Sequence, residues 1–142
     1  MVFTMVKLLI GTKGTGKTKR LIAQANVAID NSKGYVAVVA RGMELRYDIT
    51  HSARLIDVKE YGVKGSDMLL GVLSGICAGN YDITDIFVDS TLKIIGEDPA
   101  VFADFVTKLV PMSEHTGTNI TLSVSLAEEM IPAEIKSLIS VE

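Results

Sequence analysis

The sequence lacks several features that would define a specialised class of protein. It has a single cysteine, Cys77, among 142 residues, which excludes an internal disulfide and a zinc site built on cysteines. Its three prolines and twelve glycines follow no period, so a collagen-like or Pro/Gly-rich repeat is also excluded. A net charge of −3 leaves no positive excess to hold nucleic acid or an anionic membrane surface. The single cysteine favours a reducing, cytoplasmic setting.

Long hydrophobic runs are absent too. The longest uncharged stretch lies between Asp67 and Asp82, carries three glycines, and is shorter than the roughly 20 apolar residues that span a membrane. The N-terminus shows no basic leader and no small-residue cleavage site, so we expect no signal peptide. With 48% hydrophobic residues, the chain is expected to form one domain over residues 1–142 with a substantial core.

Apolar runs and helical periodicities alternate along the chain. The predicted strands are 6–10, 35–40, 55–58, 83–88 and 119–124, and the predicted helices are 17–29, 66–78, one that starts at Asp98-Pro99, and 134–139, with Val141 as a strand remnant. This order predicts an α/β fold, a three-layer α/β/α sandwich with a mostly parallel sheet of about five strands. In such sheets, ligands bind beyond the carboxyl ends of the strands.

The strongest motif is GTKGTGKT at residues 11–18, which we call the glycine loop. It matches G-x-x-x-x-G-K-[ST] and lies between a predicted strand and a predicted helix, the context that the motif requires. Backbone N–H groups of such a loop wrap a polyphosphate, and the helix N-terminus favours an anion. Lys17 is predicted to contact the β- and γ-phosphates, and the Thr18 hydroxyl to ligate Mg²⁺. The predicted nucleotide-binding residues are Gly11, Thr12, Lys13, Gly14, Thr15, Gly16, Lys17 and Thr18.

A second acidic group is expected at the end of another buried strand. Asp89 follows the apolar run 83–88 and is predicted to face Mg²⁺ through water, with Asp85 as the fallback earlier in that strand. We therefore assign catalytic roles to Lys17 and Asp89 and metal-binding roles to Thr18 and Asp89. The residue after Asp89 is Ser90, which cannot act as a carboxylate base.

Other polar residues have weaker signals. Ser123 or Ser125, at the end of the fifth strand, is a candidate for contacting the γ-phosphate; the alternative is a serine satisfied by backbone groups. The arginines after the second strand and around the third are expected to be solvated rather than to contact phosphate: Arg41, Arg46 and Arg54.

Three features outside the motifs have structural interpretations. The glycines at 71, 75 and 79 recur every four residues, and we expect that stripe to pack on the sheet, with a contact to another helix or a dimer as the alternative. His51 and His115 are far apart in polar segments, so they give no support for a transition-metal site. Cys77 is expected to be a small buried apolar residue.

The glycine loop and Asp89 together give the chain a resemblance to P-loop NTPases. The stretch LLIGTKGTGKTKRLI resembles the loop of RecA-like and AAA-type ATPases and the start of bacterial thymidine kinases. Gly11, Gly16, Lys17 and Thr18 match the Walker A motif, and Asp89 matches the Walker B motif. As a whole, the chain is similar to short bacterial ATP-binding proteins. The resemblance implies the P-loop NTPase fold and binding of ATP with Mg²⁺.

The departures from that family shape the functional expectation. The chain has no N-K-x-D guanine signature and no cysteine-bound zinc lid, and we expect no AAA lid domain. Ser90 stands where many of these ATPases have a glutamate. We therefore expect a Mg-ATP-binding protein with slow or partner-stimulated hydrolysis, acting as a nucleotide-dependent switch with an unidentified protein partner. The alternatives are a nucleoside-type small-molecule kinase, whose acceptor pocket the segment 41–52 would shape, and a non-catalytic ATP-binding interaction module.

Overall fold

The computed structural model describes residues 5–50 and 52–140. Within these ranges the regular elements follow one another as strands and helices in the order β1, α1, β2, β3, α2, β4, α3, α4 and β5. The strands are β1 (Val6–Ile10), β2 (Tyr35–Ala40), β3 (Arg54–Asp57), β4 (Ile83–Val88) and β5 (Asn119–Val124). The helices are α1 (Lys17–Asn31), α2 (Ser66–Gly79), α3 (Thr91–Ile95) and α4 (Pro99–Thr116).

The five strands form one sheet in the order β1-β5-β4-β2-β3, and every pairing between them is parallel. The predicted α/β class is therefore confirmed, and the mostly parallel sheet is in fact wholly parallel among these strands. Because β5 lies between β1 and β4, the chain segments that follow β1 and β4 leave the sheet two strand spacings apart, about 10 Å.

Successive residues of β1 and of β4 enter two different cores. Leu8 and Ile86 belong to a core cluster with α2, α3 and α4, whereas Leu9 and Phe87 belong to a second cluster with α1. Strands buried on both faces need continuous apolar runs, and β2 (YVAVVA) is such a run. Helices thus cover both faces of the sheet, which is compatible with three α/β/α layers.

Several predicted boundaries were right and others were wrong. The bounds of β1, β2, β4 and β5 and the Asp98-Pro99 helix start are confirmed, and the Asp98 carboxylate accepts a hydrogen bond from the N–H of Ala100 at 2.9 Å. The third strand begins and ends one residue earlier than predicted. The closing helix is a 3-10 helix over Ala133–Leu138, and α3 and a 3-10 turn at Glu128–Met130 were not predicted. Val141 and His51 lie outside the described residues.

The glycine stripe on α2 does not pack on the sheet as we expected. Gly71, Gly75 and Gly79 are all exposed, and a methyl group built at any of them would meet no atom within 4 Å. The residues of α2 that face the core are Leu69, Leu73 and Cys77, so the helix is rotated away from the predicted orientation. Cys77 is buried, as expected. In the described part of the chain, no helix has the length and apolar character needed to cross a membrane.

Candidate functional site

The glycine loop connects the carboxyl end of β1 to the first turn of α1. A hydrogen bond fixes its first residue: the N–H of Gly11 donates at 3.0 Å to the carbonyl of Leu126, which lies in the segment after β5. Gly16 precedes α1 with φ 84°, in the left-handed region that strains any residue with a Cβ. At Gly11 a Cβ would lie only 2.5 Å from the Thr15 hydroxyl, which itself donates to the carbonyl of Thr12 at 2.8 Å. The sequence thus supplies glycine where the loop is most tightly bent.

Lys17 is the buried cation of this loop. Its side chain is 8% exposed, and its ammonium group donates to the Thr12 carbonyl at 2.9 Å. Burial lowers the pKa of Lys17 below 10.5, the neighbouring Arg20 lowers it further, and Asp89 opposes the shift. Arg20 lies one turn along α1 and donates to the carbonyl of Ile10, the last residue of β1. An anion that binds beside the Lys17 ammonium stabilises it, because a nearby negative charge favours the charged form.

Thr18 and Asp89 are brought into direct contact. The Thr18 hydroxyl donates to the Asp89 carboxylate at 3.1 Å, although the two residues are 71 positions apart in the chain. Thr18 lies in the first turn of α1, and Asp89 follows the last residue of β4. The pair that the sequence predicted to bind one Mg²⁺ therefore lies at a single point beyond the carboxyl ends of the strands.

Two serines complete the surroundings of the Asp89 carboxylate. Ser123, on β5 between β1 and β4, donates to one oxygen of Asp89 at 3.2 Å and accepts the N–H of Ser90 at 2.6 Å. The Ser90 hydroxyl donates to the other oxygen of Asp89 at 3.2 Å. Among the non-glycine residues with a described conformation, only Ser90 has a positive φ, at 51°. Such strain is found most often at functional sites.

A cavity of about 590 Å³, within the size range of ligand pockets, is lined by Thr18, Ser90 and Ser123, whereas Asp89 is not among its lining residues. Its lining comes from the glycine loop and α1, from the α3 region, and from the end of β5. Four lysines line it, Lys13, Lys17, Lys19 and Lys93. One carboxylate, that of Glu97, faces them among the described lining residues. The chain is acidic as a whole, but this cavity concentrates positive charge.

The oxygen groups at this site suit Mg²⁺. A hydroxyl and a carboxylate are hard oxygen donors, which Mg²⁺ prefers, and it is usually held by one or two carboxylates together with substrate phosphates. Among residues 5–50 and 52–140, no three His, Cys, Asp or Glu side chains cluster closely enough to hold a metal by themselves. Thr18 and Asp89 therefore fit an ion that arrives with a nucleotide rather than one held in a cage of protein ligands.

The remaining candidates lie away from the cavity or play supporting roles. Asp85 belongs to the amino-terminal half of β4, where it accepts a hydrogen bond from the Thr84 hydroxyl at 2.8 Å. Ser125 lines the cavity and is exposed. Arg46 and Arg54 stack on tyrosine rings at 4.7 Å, and neither they nor Arg41 line the cavity.

The sequence shows that Glu97 and Asp98 are near Asp89 along the chain, but it did not predict that the α3 region lines the site. Leu92, Lys93 and Glu97 line the cavity from this side. The sequence offered one signal for this region: the helix start at Asp98-Pro99, which shows where the segment between Asp89 and the next helix ends. No protein-family model matches this chain, and no curated protein matches it either.

Proposed function

We propose that this chain is a P-loop protein that binds ATP with Mg²⁺. The observation that carries the proposal is the direct contact of Thr18 with Asp89, because Thr18 and the buried Lys17 both line a cavity that is rich in lysines. A glycine loop that opens a helix presents backbone N–H groups to phosphate, and Lys17 supplies the charge for the β- and γ-phosphates. Mg²⁺, when bound, neutralises charge on the phosphate oxygens.

The positive cavity supports a polyphosphate as the ligand. Four lysines around one cavity create a local field that attracts anions even though the chain carries a net charge of −3. A triphosphate carries enough negative charge to satisfy several of them at once. The choice of ATP over other nucleoside triphosphates rests on the resemblance stated above.

We further propose that hydrolysis is slow or stimulated by a partner. The residue after Asp89 is Ser90, whose hydroxyl already donates to Asp89. No arginine is among the described residues that line the cavity, so an arginine finger, worth about 10³–10⁵ in rate, would have to come from another protein. A γ-phosphate that orders the segment after Asp89 would then make the chain a nucleotide-dependent switch.

The segment after β2 would shape the acceptor pocket in the kinase alternative. Residues Leu45 and Ile49 of that segment are buried in the core cluster with α1, and the Asn26 amide of α1 donates to the carbonyl of Asp48 at 3.0 Å. Five residues of the segment line a separate cavity of about 360 Å³, and none of its described residues lines the cavity at the glycine loop. The kinase alternative would place its acceptor in that separate cavity.

Titration calorimetry tests the proposal. We expect ATP with Mg²⁺ to bind, ATP with EDTA to bind more weakly because Thr18 and Asp89 then lack the ion, and AMP to bind weakest because it cannot reach Lys17. Absence of heat at millimolar Mg-ATP would reject the function. Binding without hydrolysis, even beside a natural protein partner, would leave the interaction module as the correct class.

A further inference from the structure

Glu97 is the one carboxylate among the described residues that line the cavity at the glycine loop. It lines the cavity together with four lysines, and its side chain is exposed to solvent. Within the described ranges, no ion pair or hydrogen bond joins its carboxylate to another residue, even though Lys93 precedes it by four positions. An acidic group left unpaired among cations is available to a ligand or to a water molecule that enters the cavity.

The backbone holds Glu97 in place from both sides. Before it, α3 is fixed by three buried apolar side chains and by a hydrogen bond from the N–H of Gly65 to the carbonyl of Ile94 at 2.9 Å. Gly96, with φ 98°, then turns the chain, which non-glycine residues rarely do. After it, Asp98 caps α4. Glu97 is thus anchored between two helices, and it is one of the residues that line the cavity.

The other acidic groups near the site are already engaged. The two carboxylate oxygens of Asp89 accept hydrogen bonds from Thr18, Ser90 and Ser123. Asp98 accepts the N–H of Ala100 and does not line the cavity. Ser90, directly after Asp89, is a hydroxyl that is too weak a base for proton abstraction at neutral pH. This leaves Glu97 as the one carboxylate among the described residues that line the cavity.

We infer that Glu97 is the general base for the water that attacks the γ-phosphate, an inference that rests on the proposed nucleotide function. The water oxygen bonds to the γ-phosphorus as the bond from that phosphorus to the β–γ bridging oxygen breaks. The electron pair of the broken bond leaves with ADP, and the water proton passes to a Glu97 carboxylate oxygen and from there to solvent. The products are ADP and inorganic phosphate.

Substitution of Glu97 tests this role with two separate readouts. In Glu97→Gln we expect kcat for phosphate release to fall about 100-fold, at the lower end of what a positioned base contributes. The Kd for Mg-ATP should stay within about threefold or tighten, because a negative charge is removed from beside the phosphates. Glu97→Asp keeps the carboxylate on a shorter side chain and should retain more activity than Glu97→Gln. Glu114→Gln, exposed near the end of α4, is the matched control and should leave both values unchanged.

The outcomes separate this inference from the function on which it rests. Wild-type binding of Mg-ATP with kcat unchanged in Glu97→Gln, or without turnover in the wild type, would overturn the role of Glu97 and leave the nucleotide site standing. An equal loss of kcat in Glu114→Gln would show an indirect effect and overturn it too. A failure of the wild type to bind Mg-ATP would overturn the function and the inference together. Unfolding of each variant, followed by circular dichroism, checks that the fold is retained.

Discussion

Replacement of Lys17 by methionine should remove most of the affinity for Mg-ATP without unfolding the protein. Methionine is similar in length to lysine and keeps an apolar body at this buried position. A hydrogen bond to a charged group contributes about 1.5–3 kcal/mol, so the Kd should rise roughly 10- to 150-fold. Burial and Arg20 lower the pKa of Lys17, which means that the folded protein without ligand disfavours its charge. The free energy of unfolding of Lys17→Met should therefore be unchanged or higher.

Lys13→Met is the matched control for this experiment. Lys13 belongs to the same loop and lines the same cavity, but its side chain is exposed. An exposed charge pair contributes at most about 1 kcal/mol, so the Kd should rise no more than about fivefold. Both variants are measured by titration calorimetry at about 0.15 M salt, where surface charges are screened. A Kd for Lys17→Met within threefold of the wild type, or an equal loss in Lys13→Met, would refute the reasoning from burial.

Three further predictions follow from the geometry of the loop and of its acidic partner. Thr18→Val and Asp89→Asn should each weaken the Mg²⁺-dependent part of ATP binding. The loss of binding free energy in the double variant should be at least about 0.5 kcal/mol smaller than the sum of the two single losses, because the two groups act at one point. Additive losses in calorimetry would contradict this. Gly16→Ala should destabilise the fold by about 1–2 kcal/mol because φ is positive there, whereas Gly71→Ala, in an exposed helix interior, should stabilise it by about 0.5–1 kcal/mol. Denaturant unfolding measures both changes. Changes of the same sign in the two variants would show that backbone conformation is not the cause. A bound triphosphate raises the lowered pKa of Lys17, so binding takes up a proton at pH values between the pKa of the free protein and that of the complex, and the Kd should rise with pH in the alkaline range below 10.5. A pH series of calorimetric titrations measures this trend. A Kd that does not change with pH would argue against Lys17 as the phosphate contact.

The sequence predicted the buried strands best. The last three residues of β1, β2 and β4 are all apolar, so the carboxyl ends of these strands are clearly marked in the sequence. β3 is a four-residue strand at the sheet edge and only partly buried, and its run gives a weaker signal, which accounts for the shift by one residue. α3 has five residues, too few for a helical period to be recognised.

The candidate site was predictable only where a motif carried it. The pattern of the glycine loop marks Lys17 and Thr18, and the apolar run before Asp89 marks the carboxylate. The hydrogen bonds of Ser123 with Ser90 and Asp89 link residues 33 and 34 positions apart, and the strand order that brings them together is not written in any local pattern. The prediction that the glycine stripe on α2 packs on the sheet was wrong, because the spacing of the glycines places them on one helix face but does not say whether that face turns inward.

The position of β5 between β1 and β4 makes assembly of the site depend on correct strand alignment. Side chains alternate between the two faces of a strand, so a slip of one residue would present Leu122 or Val124 where Ser123 now bonds to Asp89. The same slip would force apolar side chains into the wrong layer. Misalignment that breaks the hydrogen bond between Ser123 and Asp89 would therefore also disrupt the core, so the geometry of the candidate site and the packing of the core depend on the same strand alignment.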